Sequence, residues 1–448
     1  VLFLGIDIGT TGVRGALVDA HGAIVREHAV ACPHATPRPG WAEADPEQWW
    51  SAVREVCRAI DASRAASVAV TGQAPTVLLV DGAGRAVRPA ILWLDTRAEE
   101  EARALARDIG EDALRAASGN RSHAYFAGPK IAWLHKHEPN ALDRAAWIAQ
   151  SHAFVAMRLC GEIATDESTA MLCAPLFDAA ALAWSAPMAR AIGVDVAKLP
   201  RVARAHDVIG RVTRAAAEAT GLAEGTSVVA GGGDFAASAL GAGVIEEGEA
   251  CLMLGTAGNL LMPMRARALD ARLINSRHVG GDRWLSLGGT LSGAAQEWFR
   301  RAIAPGVSYE ELDAEATRAQ TRGLLFLPYL QGERTPIWDV SARGAFAGLD
   351  LSHGRAEMWR ALLEGIALSF VHCAAIVRER GVVLGEVIAS NGGGKSALFR
   401  QILCDALGAP LAYVPRGGGT IAGAALLAAI GAGALDATAS RAWRGETV

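Results

Sequence analysis

The sequence of 448 residues predicts a mixed α/β protein of two domains. Hydrophobic residues make up 51% of the chain and charged residues 20%, enough apolar material for two ordinary cores. Short β-rich apolar runs alternate with stretches of helical spacing along the chain. A Gly/Thr turn follows the first strand, and Gly-rich turns after strands recur from Gly231 onward, so the halves follow one order of elements. A boundary near Gly243 gives domains 1–243 and 244–448.

Residues 1–8 (VLFLGIDI) form an apolar β-rich run that turns at Gly9-Thr10-Thr11-Gly12 into a second run, 13–18. A further turn at Asp19-Ala20-His21-Gly22 leads to 23–26, which predicts a three-stranded meander. Over 45–60 the spacing becomes helical: Asp45 is a capping residue, Pro46 takes the first position, and Trp49, Val53 and Cys57 share one face. Residues 65–70 (AASVAV) read as a buried strand, 129–137 and 152–159 as helices, and 227–230 as another strand. Late in the chain a strand ends at Asn391-Gly392-Gly393-Gly394 and a helical stretch follows over 397–407.

A formal net charge of −4 supplies no positive field to gather nucleic acid or anionic lipid. The 7 cysteines are scattered without CxxC spacing, so neither a disulfide framework nor a zinc knuckle is expected. No apolar run reaches the roughly 18–20 residues of a membrane span, and the N-terminus enters a strand directly. A cytoplasmic protein without a membrane partner is the expectation. His135 and His137 border Lys136 and Glu138 and read as a solvated helix end, not a metal site. Most of the 12 tryptophans sit on apolar helical patterns. Trp93 is different, because it borders Asp95 and Arg97, so a ring that faces a ligand stands beside core packing as a second reading.

Four constellations can carry chemistry. In the first, Gly9 and Gly12 permit a tight hairpin whose N–H groups and Thr10 and Thr11 hydroxyls converge on a phosphate, with Asp7 placed for Mg²⁺ and Arg14 adding positive charge. An ordinary polar hairpin is the competing reading. Gly255 and Thr256 repeat the Gly/Thr turn after a second apolar strand. The third run, Asn391 to Ser396, lacks Walker A spacing; its bare backbone suits a flat nucleoside, and a plain Gly-rich turn fits equally. The fourth is Asp234 after three glycines, able to cap a helix or to accept a proton from an attacking hydroxyl, or both.

The segments DIGTT…R (7–14), GWAEADPEQWW (40–50), ILWLDTR (91–97), AGPKIAWL (127–134), GGGD (231–234), LGTAG (254–258), LPYLQGERTPIWD (327–339) and NGGGK…D (from 391) resemble the FGGY carbohydrate kinases, in particular their xylulokinase-like branch. They occur in that family's order over nearly the whole chain. The resemblance implies two ribonuclease-H-like domains of the actin and sugar-kinase superfamily with a central cleft. It also implies ATP with Mg²⁺, and transfer of the γ-phosphoryl group to a sugar hydroxyl.

Residue by residue, the resemblance makes Asp234 the catalytic base and puts Asp7, Thr10, Thr11 and Arg14 at the metal and phosphate end. Gly255 and Thr256 become a second phosphate clamp, with Gly293 and Glu297 beside the nucleoside and Gly393 and Gly394 near the adenine. The sugar pocket is expected from Gln73, Ala74, Pro75, Trp93, Asp95, Arg97, Tyr125 and Phe235. Xylulokinases usually carry Met-His in place of Ala74-Pro75 and Asn in place of Phe235, and glycerol kinases an Arg-Glu pair at Ala74-Pro75. Asn391 and Gly394 also depart from the branch. The expected acceptor is a ketopentose such as D-xylulose, with another pentulose, a sugar acid or a polyol as the alternative. A non-catalytic ATP-binding regulator is the rival from another class, disfavoured by the intact Asp234, and a homodimer is expected by analogy alone.

Overall fold

The computed structural model describes residues 1–265, 267, 269–414 and 419–444. They fall into two compact units, the first holding 1–245, 275–284 and 419–444, the second the described residues within 246–274 and 285–414.

Unit 1 is built on a seven-stranded sheet. The expected meander is present as antiparallel β1 (Leu2–Ile8), β2 (Gly12–Asp19) and β3 (Ile24–Ala31). Strand β4 (Ala65–Gly72) runs parallel to β1. Beyond β4 lie edge strand β5 (Val208–Arg211) and β6 (Ser227–Val229), giving the order β5-β6-β4-β1-β2-β3. The two-residue β7 (Gly232–Gly233) pairs with the end of β4, also in parallel.

Helices cover both faces of β1, as the alternation of strand side chains requires. Leu4, Ile6 and Ile8 belong to the cluster that buries Trp49, Val53 and Val56 of the helix Pro46–Ala59. Asp45 caps that helix by accepting the Glu47 N–H (3.0 Å), so its start is the one the local sequence predicts. On the other face Gly5 lies against the backbone of the helix Gly419–Gly431, which also packs on the helix Asp234–Gly241. A Cβ at Gly423 would sit 1.9 Å from the Ala237 carbonyl oxygen, so these two helices meet backbone to backbone. The segment 275–284 joins unit 1 through a reciprocal pair, Asn275 N–H to Asn120 Oδ1 (2.8 Å) and Asn120 Nδ2 to the Asn275 carbonyl (2.9 Å).

In unit 2, β8 (Glu249–Leu254), β9 (Ala257–Met264), β10 (Trp284–Leu291), β11 (Glu386–Ser390) and β12 (Leu411–Tyr413) lie in the order β10-β9-β8-β11-β12. β8 is antiparallel to β9 and parallel to β11, just as β1 is antiparallel to β2 and parallel to β4. The helix Arg355–Glu379 is, among the described residues, the one helix long and apolar enough to cross a membrane. It is mostly buried in the unit's core through residues such as Leu362, Ile366 and Phe370.

Candidate active site

Three parallel strands deliver the chemistry of unit 1 to one sheet edge. In register, Asp7 lies beside Thr71 and Ile8 beside Gly72, while Gly232 and Gly233 flank Thr71 and Gly72 from the other side. The residues at or just past these strand ends are Asp7, Gln73 and Asp234. Gathering polar groups at the carboxyl ends of parallel strands is how open α/β sheets build ligand sites.

Asp7 accepts a hydrogen bond from the Thr71 hydroxyl (3.0 Å). Burial raises its pKa to about 6, against the lowering effects of Thr71 and the Arg14 guanidinium. Asp234 is raised further, to about 8, by burial first and by the charge of Asp7 second. It is the first residue of its helix; Gly233 holds the capping position, and Asp234 Oδ1 accepts the Phe235 N–H (2.7 Å). Gly231 makes the turn into this loop, with φ +73° and no space for a Cβ beside the Val70 carbonyl. Ser168 fixes its far end, accepting the Gly233 N–H (3.1 Å).

Two carboxylates that resist ionising together suit one shared proton or a hard cation. Mg²⁺ is commonly held by one or two carboxylates with waters and substrate phosphates, and Asp7, beside the Gly9–Gly12 hairpin, is the carboxylate that could serve as its ligand. Among the described residues no group of three or more His, Cys, Asp or Glu is placed to hold a metal ion. His137 is instead stacked on Trp133, with centroids 4.8 Å apart.

The hairpin before β2 closes through Gly9 N–H to the Gly12 carbonyl (2.9 Å), leaving Thr11 exposed. Thr10 Oγ1 accepts the indole N–H of Trp93 (3.1 Å). Tyr125 meets Trp93 edge to face at 6.3 Å, and its hydroxyl donates to the Ala74 carbonyl (3.3 Å). Gln73 donates through Nε2 to the Gly9 carbonyl (3.3 Å), while its buried Oε1 has no protein partner. Ala74 and Pro75 are buried apolar groups on the loop after β4, and Phe235 is buried in the first turn of the helix Asp234–Gly241.

Three expected contacts fall elsewhere. Arg14 lies opposite Asp7 on the hairpin but ion-pairs with Glu27 of β3 at the surface. The Asp95 carboxylate is fully enclosed, accepting the Ala42 N–H (2.6 Å) and Arg97 Nε and NH2 (2.9 and 2.7 Å). The Arg97 side chain is 1% exposed, also pairs with Glu43 (2.8 Å), and lies 3.6 Å from the Trp41 ring centroid. Asp95 and Arg97 therefore brace the loop behind Trp93, and of the guanidinium nitrogens only NH1 is left without a hydrogen-bond partner.

Unit 2 holds a cavity of about 1310 Å³ lined by Gly255, Thr256, Gly293, Glu297 and Gly393 among others. Gly293 N–H donates to the Gly255 carbonyl (2.9 Å) and Ala294 N–H to the Thr256 carbonyl (3.0 Å), which clamps the β8–β9 turn onto the start of the helix Gly293–Ala302. Glu297 bonds Arg300 and accepts the Tyr309 hydroxyl (2.7 Å), so its carboxyl is held below the usual range. Gly394 is not part of this lining; a Cβ there would meet the Tyr413 ring at 2.4 Å.

Ser396, the end of the third sequence run, lines the cavity, as do Gln296, Tyr309 and Asp313, which no sequence motif marks. The Ser308–Glu311 capping box announces the helix that carries Tyr309 and Asp313, but not which face it turns to the cavity. Ser168 and Lys130 were likewise not anticipated in unit 1.

Comparison with known proteins agrees along the chain. The N-terminal domain of the FGGY family of carbohydrate kinases matches residues 2–241, and the C-terminal domain of that family matches 253–432. The chain is 32% identical to a xylulose kinase of Bacillus subtilis, over 96% of this chain and 88% of that one. It is 31% identical to a glycerol kinase of Myxococcus xanthus, over 99% and 93%. The crystal structure of xylulose kinase from Rhodospirillum rubrum superposes with a TM-score of 0.94 at 32% identity, covering 100% of this chain and 94% of that one. The chain belongs to the FGGY family of carbohydrate kinases, ATP-using phosphotransferases that act on an alcohol group.

Proposed function

We propose that the protein transfers the γ-phosphoryl group of ATP to a hydroxyl of a ketopentose such as D-xylulose, with Asp234 as general base. The observation that carries this reading is the Asp7–Asp234 pair at the ends of parallel strands, with Asp234 held at about 8. A carboxylate of that basicity takes a proton from an alcohol far better than an ordinary one does. Asp7, Thr10 and Thr11 serve the phosphate end. Bound Mg²⁺, with Asp7 as its protein ligand, would neutralise charge on the phosphoryl oxygens.

The acceptor rests on Gln73, Ala74, Trp93 and Tyr125. The buried, unpartnered Gln73 Oε1 is the acceptor atom best suited to a sugar hydroxyl. In this reading residues 1–243 carry the sugar and 244–448 the nucleotide, in a cytoplasmic enzyme. Names among the relatives favour a xylulose-like acceptor. Ala74, Pro75 and Phe235 favour a second reading, another pentulose, sugar acid or polyol, because apolar groups offer a hydroxyl no partner.

Coupled ADP release over a panel of pentuloses, sugar acids and polyols tests the acceptor. Asp234→Ala should fold and lose nearly all phosphorylation; a wild-type rate in that variant would remove Asp234 from the chemistry.

A further inference from the structure

Lys130 is fully buried in the first turn of the helix Ala127–His137. A cation there opposes the helix dipole, which favours negative charge at that end. Lys198 shows the ordinary arrangement: at the C-terminal end of the helix Pro139–Arg144 it caps the carbonyls of Leu142 (2.7 Å), Asp143 (3.2 Å) and Ala145 (2.8 Å). Lys130 caps no helix. Its ammonium donates to the Tyr125 carbonyl (2.8 Å) and the Trp93 carbonyl (3.4 Å).

Those two carbonyls belong to the two aromatic residues of the acceptor platform. Each aromatic is thus held at both ends. Trp93 bonds Thr10 through its indole and Lys130 through its backbone. Tyr125 bonds Ala74 through its hydroxyl and Lys130 through its backbone. The two segments also meet where the Trp93 and Tyr125 rings pack edge to face and where the Ser122 hydroxyl donates to the Ala102 carbonyl (2.7 Å), and Lys130 adds the bond that holds both aromatic backbones at one point. Burial pulls the ammonium down to about 7, with Asp95 opposing the fall. A group this unfavourably placed is explained by what it joins.

We infer that Lys130 is a positioning residue that sets Trp93 and Tyr125 against the acceptor, tying the two loops of the sugar platform together from behind. The inference rests on the acceptor reading proposed above. Removing the ammonium frees both backbones at once, and a displacement of about 1 Å is enough to cost on the order of 100-fold in rate.

Lys130→Met tests it by steady-state kinetics with each substrate varied in turn. The acceptor kcat/KM should fall about 10- to 100-fold while the ATP KM stays within about twofold. Equal changes in both, or no change in either, would overturn the inference. Should the Met variant not fold, Lys130→Arg keeps a cation but holds the two carbonyls at a different spacing. The same split is then required, at about threefold or more. In a Tyr125→Ala background the effect of either substitution must shrink, because part of the route is already gone; a full-sized effect there excludes a role through the platform. A wild-type chain that phosphorylates none of the panel overturns the acceptor reading and this inference together. An active wild type with unsplit kinetics overturns only the role of Lys130.

Discussion

Replacing Asp234 by Asn keeps the side chain's size and removes its titrating proton, which separates catalysis from stability in a single variant. In the native protein burial and then Asp7 raise Asp234 from its ordinary 3.8 to about 8. Between those values the native state holds a proton that the unfolded chain has lost. Stability of the wild type therefore falls as pH rises, and the contribution is gone once pH passes the native value. At ~1.4 kcal/mol per pH unit, the loss between about pH 5 and 8 is on the order of 4 kcal/mol as an upper figure. Asp7 shares the interaction and Asp234 is partly exposed, so about 2–4 kcal/mol is the working range. The Asn variant has no such slope. Its advantage over the wild type should grow by that amount from pH 5 to pH 9, or roughly 2–7 °C in unfolding midpoint. Calorimetric unfolding in metal-free, nucleotide-free buffer reads the stability, and coupled ADP release reads the rate, expected to fall about 10²- to 10⁴-fold. The reasoning is refuted if the variant keeps the wild-type rate, or if it loses stability relative to the wild type on going to pH 9.

Trp93→Phe removes the indole N–H that Thr10 accepts at 3.1 Å. The lost bond, worth about 0.5–1.5 kcal/mol, should raise the acceptor KM about 2- to 10-fold and leave the ATP KM unchanged in initial-rate assays. Gly293→Ala puts a Cβ 2.7 Å from the Gly255 carbonyl oxygen, so ADP affinity measured by titration calorimetry should fall about tenfold or more. Arg97→Met leaves the enclosed Asp95 carboxylate without its partner and should cost about 3–5 kcal/mol in urea unfolding. If Arg97 instead contacted the sugar, its loss would show in acceptor KM at near-normal stability.

Local signals carried the elements whose causes are local. Asp45, Pro46 and the Trp49–Val53–Cys57 stripe describe the first long helix because capping and one apolar face are written within fifteen residues of each other. The opening meander was readable for the same reason. The roles of Asp95 and Arg97 were not, since beside their own pairing Asp95 accepts an N–H 53 positions away and Glu43 and Trp41 complete the enclosure of Arg97. A polar pair beside a tryptophan looks the same in sequence whether it faces a ligand or a core. Lys130 hid in an otherwise apolar helical stretch for a related reason: its partners are backbone carbonyls, which no residue type betrays. The helix Gly419–Gly431 is small and apolar on every side, so no periodicity reveals that it packs under β1.

The arrangement of strand ends explains how one chemistry can serve different acceptors in this family. Because β4 lies between β1 and β7, the loop after β4 is centred between the two carboxylates, and Gln73, Ala74 and Pro75 occupy it. Asp7 and Asp234 are fixed by sheet register and by the Thr71 and Ser168 bonds, none of which involves the side chains of Ala74 or Pro75. Side chains on that loop can change while the carboxylate pair stays in place. Similar identity to relatives named for xylulose and for glycerol is what such a separation produces, since overall identity reports the frame and the acceptor is chosen by a few positions on it. Introducing Met-His at Ala74-Pro75 should therefore shift the order of preference among panel sugars while leaving the pH response of Asp234 intact. A coupled change in both would show that the loop and the carboxylate pair are not independent.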